Sequence, residues 1–214
     1  NFDDGPVPLA GEWEFAPGRF VDPSEAFDAD TGRAFAPRSV PDRWRGDDAG
    51  GEDGKGGGTY RLLVRVRPGV GPLALRFTTV ATAFEIYANG RLVASGGRPS
   101  PDPRMAVAGY RPAAVALPVA DDGRVELVAR ISNHEYREGG MWRAFAVGPA
   151  RALVGAKRLR DAYSLGLACG LAAMAVHALI LFLNRPRERS YLYFALFAAI
   201  VATRTLVTGE YVAV

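Results

Sequence analysis

The sequence predicts an all-β sandwich or barrel followed by a transmembrane helical hairpin, and three observations carry that prediction. Short runs of alternating apolar and polar residues recur from residue 9 to about 148, divided by Gly, Pro and Asp turns. The 22 residues Ala162–Leu183, AYSLGLACGLAAMAVHALILFL, contain no Asp, Glu, Lys or Arg. A second apolar run, Tyr191–Thr208, follows a short Arg-rich turn and is interrupted only by Arg204.

The strand signals come in order. LAGEWEF opens the series at Leu9. In GTYRLLVRVR, Gly58–Arg67, alternation sets Tyr60, Leu62, Val64 and Val66 on an inward face, with Arg61, Leu63, Arg65 and Arg67 on the other. LALRFTTV, Leu73–Val80, is the next candidate. FEIYANGRLVAS, Phe84–Ser95, reads as a hairpin about Asn89-Gly90, a type I′ turn pair. AAVALP (Ala113–Pro118), RVELVARI (Arg124–Ile131) and WRAFAV (Trp142–Val147) complete the set, with Val125, Leu127, Ala129 and Ile131 on one face. No helix of convincing length precedes residue 150, which disfavours a parallel α/β architecture. A domain of this size is able to bury its own core.

Ala162–Leu183 is long enough to cross roughly 30 Å of hydrocarbon at about 1.5 Å per residue. The reading therefore divides the chain into a β domain (1–154), a juxtamembrane connector (155–161), a first span (162–183), a loop (184–190), a second span (191–208) and the start of another loop (209–214). With no Gly or Pro from Ala156 to Ser164, the connector is expected to continue the first helix outward as a stiff stalk. Lys157, Arg158 and Arg160 balance Arg185, Arg187 and Arg189 across the first span, but 209–214 has no Lys or Arg. The positive-inside rule thus places NRPRERS, Asn184–Ser190, in the cytoplasm and the β domain outside. His177 and Arg204 are costly in lipid and are expected to face protein or to snorkel.

Composition narrows the function classes. The formal charge of +3 is small and mixed with acidic residues, giving no case for nucleic acid. Cys169 is the only cysteine, so neither an intramolecular disulfide nor a multi-Cys metal site is available. The N-terminus shows no basic region followed by an apolar one, so no signal peptide is visible. The end at Val214, just past the second span, leads to the expectation of a longer protein. RGDDAGGEDGKGGGT, Arg45–Thr59, fails as a phosphate cradle because Ala49 stands where the first Walker glycine is needed and Gly56 follows Lys55; it reads as a flexible surface loop. Asp28 and Asp30 begin like a calcium loop, but Gly32 and Arg33 occupy a ligand and the glycine position.

ISNHEYREGGMWR, Ile131–Arg143, concentrates recognition side chains between two strand signals. Asn133, His134, Tyr136, Arg137 and Trp142 are the candidate contacts, because aromatic faces stack on apolar sugar faces while Asn, His and Arg hydrogen-bond hydroxyls. The same residues also suit a structural role: Asn133 can close a turn, Gly139 and Gly140 can take positive φ, and Trp142 can be core. Catalysis lacks its partners. The other histidine, His177, lies in a span, and Glu135 and Glu138 share one loop and cannot readily flank a sugar ring. Trp13 and Trp44 read as core, and Glu85 and Tyr87 as a solvated sheet face.

GTYRLLVRV, TAFEIYANGRLVASGG, ISNHEYREGGMWRAFAVG and the run from LRDAYSLGLACG to TRTLVTGEY together resemble the bacterial seven-transmembrane receptors with diverse intracellular signalling modules, the 7TMR-DISM family. That resemblance implies a galactose-binding-like jelly roll, seven spans in the bacterial inner membrane with residues 1–161 extracytoplasmic, and a cytoplasmic output domain beyond this chain. The expected partners are a small-molecule ligand, with carbohydrate as the class in view, the lipid bilayer, and the remaining helices and signalling domain of the full-length protein. No cofactor, metal or catalytic residue is expected. A membrane-anchored glycan-binding or adhesion protein without signalling is the alternative.

Overall fold

The structure, a computed structural model, describes residues 2, 5–28, 31, 34–67, 70–78, 80–109 and 113–208. It divides into two compact units, Asn1–Val154 and Gly155–Val214. Asp30, Gly32 and Arg33 of the calcium-like segment, and the loop 209–214, lie outside the described residues.

The first unit is a sandwich of two antiparallel sheets. Its strands are β1 (Val7–Pro8), β2 (Gly11–Pro17), β3 (Ala36–Val40), β4 (Gly56–Arg65), β5 (Leu73–Phe77), β6 (Ala83–Ala88), β7 (Arg91–Gly96), β8 (Ala113–Leu117), β9 (Arg124–Asn133) and β10 (Ala146–Pro149). One sheet has the order β1-β10-β5-β8, the other β3-β2-β4-β9-β6-β7. Their apolar faces meet in the core. Phe77 of β5 lies edge-on to Phe84 of β6 at 5.3 Å, and Phe145, just before β10, sits 5.8 Å from Trp13 of β2.

Alternation predicted this core well. Val125, Leu127, Ala129 and Ile131 are all buried. They lie opposite β4 in the register Val64↔Val125, Leu62↔Leu127, Tyr60↔Ala129. Tyr60 is fully buried, while Leu62, Val64 and Val66 are partly buried against the core as the strand runs out. Full burial of a side chain such as Leu127 or Ile131 contributes about 1.5–3 kcal/mol. The Asn89-Gly90 turn forms as expected, with φ of 49° and 72°. Asn89 also ties the hairpin down: its amide donates to the Pro118 carbonyl at 3.1 Å and its side-chain oxygen accepts from the Glu126 N–H at 2.8 Å.

The middle of the outer face of the six-stranded sheet is covered rather than solvated, although Glu14, Leu63 and Arg65 on the same face stay exposed. Arg61 is only 8% exposed and sits between the Phe27 and Phe35 rings, its Nε donating to Glu14 at 2.7 Å and another N–H to the Ala26 carbonyl. Arg130 donates twice to the Val21 carbonyl and lies near the rings of Phe20 and Tyr87. The chain between β2 and β3 therefore packs over this face. Guanidinium groups tolerate such a position because the planar fork bonds carbonyl and carboxylate oxygens while its faces meet aromatic rings. Alternation shows which face a residue takes, not what lies over it.

Three further expectations change. Arg45–Thr59 is not a free loop: Ala49 is buried, Gly54 N–H bonds Gly46 O, Gly57 N–H bonds Ala49 O, and Gly56–Thr59 already belong to β4. The strand expected from Trp142 begins only at Ala146, because the Trp142 indole turns back to bond the Gly139 carbonyl. Strand β3 escaped notice because Pro37 interrupts its pattern; it pairs with β2 alone, so its missing N–H leaves no ladder partner unsatisfied.

The remaining chain forms α1 (Ala150–Asn184) and α2 (Arg189–Thr208). The backbone of 155–161 is helical, as the absence of Gly and Pro after Gly155 predicts. Ala162–Asn184 is, among the described residues, the one helix long and apolar enough to cross a membrane; only 11% of its apolar stretch is buried. Among the described residues of this unit Ala168, Ala178, Ala195, Ala198 and Ala202 are buried, whereas Leu183, Phe197 and Ile200 are about two-thirds exposed. His177 and Arg204 lie on exposed sides of their helices.

Candidate functional site

Three segments meet at one end of the sandwich. Asp42 N–H donates to Met141 O at 2.8 Å and Trp44 N–H to Gly139 O at 3.1 Å, joining 42–48 to the loop after β9. Ser100 N–H donates to Ser132 Oγ at 3.1 Å, and Ser100 O meets His134 Nε2 at 2.8 Å. A carbonyl only accepts, so His134 Nε2 is the donor in this bond.

The five candidate contacts take different places. Asn133 is fully buried: its amide donates to Gly54 O (3.0 Å) and Tyr136 O (2.7 Å), and its side-chain oxygen accepts from Tyr136 N–H (3.1 Å). Both donors are spent inside the protein, so Asn133 is corrected from a ligand contact to the fastener of the loop. It holds Tyr136, 58% exposed, and the exposed Arg137 outward. His134 is partly buried beside them. Trp142 is half-buried rather than core, with its indole N–H on Gly139 O (3.0 Å) and the Arg43 guanidinium 5.2 Å over its ring. Arg43 in turn donates to Glu138 at 2.8 Å, and Arg45 lies 3.6 Å from the same carboxylate. One face of Trp142 is thus occupied, and stacking on a ligand is left to its other face and edge.

A buried polar relay supports these loops. Trp44, fully buried, stacks on Tyr60 with an 8° interplanar angle and donates its indole N–H to the Tyr60 hydroxyl at 2.7 Å. That hydroxyl donates to Asp42 at 2.6 Å, and Asp42 accepts two bonds from Arg38, which also bonds Asp48. Burial, reinforced by the Asp42 charge, pushes the Tyr60 phenol well above its ordinary value, so it stays a donor. Gly139 has no room for a side chain, since a Cβ there would approach Trp44 Cε3 to 2.5 Å. Trp13 and Trp44 are core, as predicted. The relay was invisible in sequence because Arg38, Asp42, Asp48 and Tyr60 form no periodic pattern.

The Asp48 carboxyl is held below its ordinary range chiefly by the Arg38 hydrogen bond. A depressed folded-state value gives stability that is present above the unfolded value, near 3.8, and lost as pH falls through the folded one. Asp48→Asn is therefore expected to cost up to about 1 kcal/mol at pH 7, the size of a partly exposed ion pair. Thermal melts at pH 7 and pH 3 check this; the gap from wild type should narrow at pH 3.

Glu85 and Tyr87 lie on the covered outer face, half-buried, with the Tyr87 hydroxyl donating to Glu85 at 2.8 Å and Arg130 3.8 Å from that carboxylate. Burial and then Glu85 raise the Tyr87 phenol. Among the described residues no three His, Cys, Asp or Glu side chains converge as a metal site would require. Glu138 is committed to two arginines.

No protein-family model matches the chain, and no curated protein matches it either. Solved structures do. The likeness is to one β-sandwich part of several glycosidases. The chain is similar to Bacteroides uniformis beta-glucuronidase 2 bound covalently to cyclophellitol-6-carboxylate aziridine, at 18% identity and TM-score 0.51, over 66% of this chain and 17% of that one. A second Bacteroides uniformis beta-glucuronidase structure gives 19% and 0.51 over 66% and 17%. A glycosyl hydrolase family 2 member from Bacteroides cellulosilyticus gives 17% and 0.51 over 67% and 20%. The likeness is one of fold, and the chain spans a fifth or less of each glycosidase.

Proposed function

We propose that this chain is the sensor portion of a bacterial transmembrane receptor. Its sandwich is a galactose-binding-like jelly roll that binds a small molecule of carbohydrate class outside the inner membrane, and α1 and α2 are the first two spans through which binding is passed to a cytoplasmic output domain of the longer protein. The observation that carries the binding role is the braced rim, where Asn133 and the Trp44 relay present Tyr136, Arg137, His134 and an edge of Trp142. Neighbours that process carbohydrates share the sandwich. The membrane reading is supported by an apolar helix left almost wholly unburied, since a core helix of a soluble protein would be covered. The 7TMR-DISM resemblance supplies the signalling step. Arg43 and Arg45 engage Glu138, which favours reading the rim as a recognition surface.

Calorimetry of the full chain in lipid nanodiscs against a glycan panel tests the proposal. His134→Ala is expected to weaken glycan binding about fivefold, the worth of one neutral hydrogen bond at about 1 kcal/mol. Trp142→Ala should weaken it further. Wild-type affinity in both variants, with unchanged melts, would remove the rim from the site; hydrolysis of any glycan would make the rim catalytic.

A further inference from the structure

The turn between α1 and α2 carries Arg185, Arg187 and Arg189, all exposed, with Glu188 as the sole acid among them. None of the three makes an ion pair among the described residues. The backbone of the turn is fixed: Arg185 N–H bonds Leu181 O, Glu188 N–H bonds Arg185 O, and Tyr191 N–H bonds Glu188 O. Directly beside it stand apolar side chains that nothing covers, Leu183 at 68% and Tyr193 at 63% exposure.

We propose that the Arg185–Arg189 turn binds the phosphate of an anionic membrane phospholipid, with the neighbouring Leu183 and Tyr193 against its acyl and interfacial parts. The inference rests on reading α1 and α2 as membrane spans. A guanidinium fork matches two phosphate oxygens, and three arginines against one glutamate leave an uncompensated positive charge. A free phosphate would satisfy the arginines alone. A phospholipid satisfies both halves of the surface, because its phosphate and its hydrocarbon belong to one molecule. Tyrosine at that level is also where an aromatic ring favours the headgroup region.

The test uses the full chain in phosphatidylcholine nanodiscs containing one-fifth phosphatidylglycerol, with lipids retained through purification counted by native mass spectrometry. Wild type should retain phosphatidylglycerol above its bulk share, and each of R185Q, R187Q and R189Q should lower that enrichment about fivefold, matching about 1 kcal/mol per basic residue. The triple variant should show none. Undiminished enrichment in the triple variant, or none in wild type, overturns the proposal. Millimolar inorganic phosphate that strips the bound phosphatidylglycerol would assign the turn to free phosphate instead and would equally overturn it. Failure of the span reading looks different: the wild-type chain would be released from bacterial membranes by alkaline carbonate.

Discussion

Trp44→Ala is expected to lower the stability of the β sandwich by about 3–5 kcal/mol, the usual cost of removing a fully buried large aromatic. The indole stacks on Tyr60, lies 5.7 Å from Phe15, and underlies Gly139, so its loss opens a cavity where core and rim meet. Its N–H is also the donor to the Tyr60 hydroxyl. Urea unfolding followed by far-ultraviolet circular dichroism measures the change. Trp44→Phe keeps part of the packing and should recover more than half of the loss. A drop below about 1 kcal/mol in Trp44→Ala would show that the side chain is not the support described.

Asp42→Ala is expected to cost about 2–4 kcal/mol. It deprives the buried Tyr60 hydroxyl of its acceptor and Arg38 of two bonds, and a buried charge left alone is expensive. The figure sits below that of a fully enclosed pair because the Arg38 side chain remains 27% exposed and can take up water. The same relay governs alkaline behaviour. A phenol whose folded-state value is raised gives stability that is complete below the unfolded value, near 10, and is lost as pH rises towards the folded one. Wild type should therefore lose stability more steeply above pH 10 than Tyr60→Phe, and chemical denaturation at pH 8 and pH 11 would show it. Parallel pH profiles would mean that Tyr60 is not enclosed.

What could be read in advance depended on whether a signal was local. Val125 to Ile131 and Asn89-Gly90 declare themselves within a few residues, since period-two alternation and positive φ are properties of neighbours. The long apolar helix is legible for the same reason. Arg61 and Arg130 look like solvent-facing arginines in their own strands, and only the arrival of the segment between β2 and β3 encloses them. The site followed the same rule. The cluster from Asn133 to Trp142 stood out by composition, but the division of labour within it is set by Gly54, Ser100 and Arg43, which are distant in sequence. Asn133 looked like a contact because its partner at Gly54 lies 79 positions away.

Strand β3 bears on a hazard of a different kind. It is an outer edge of the six-stranded sheet, where unpaired backbone groups invite a strand from another molecule to add on. Pro37 offers no N–H to such a visitor, and Arg38 beside it is drawn into the Asp42 and Asp48 pairs that brace the rim. One short segment thus braces the rim loops and offers a poorer template for an added strand. Where copies of the sandwich meet at high concentration, this edge is therefore a less favourable place for strand-to-strand growth than an unbroken one.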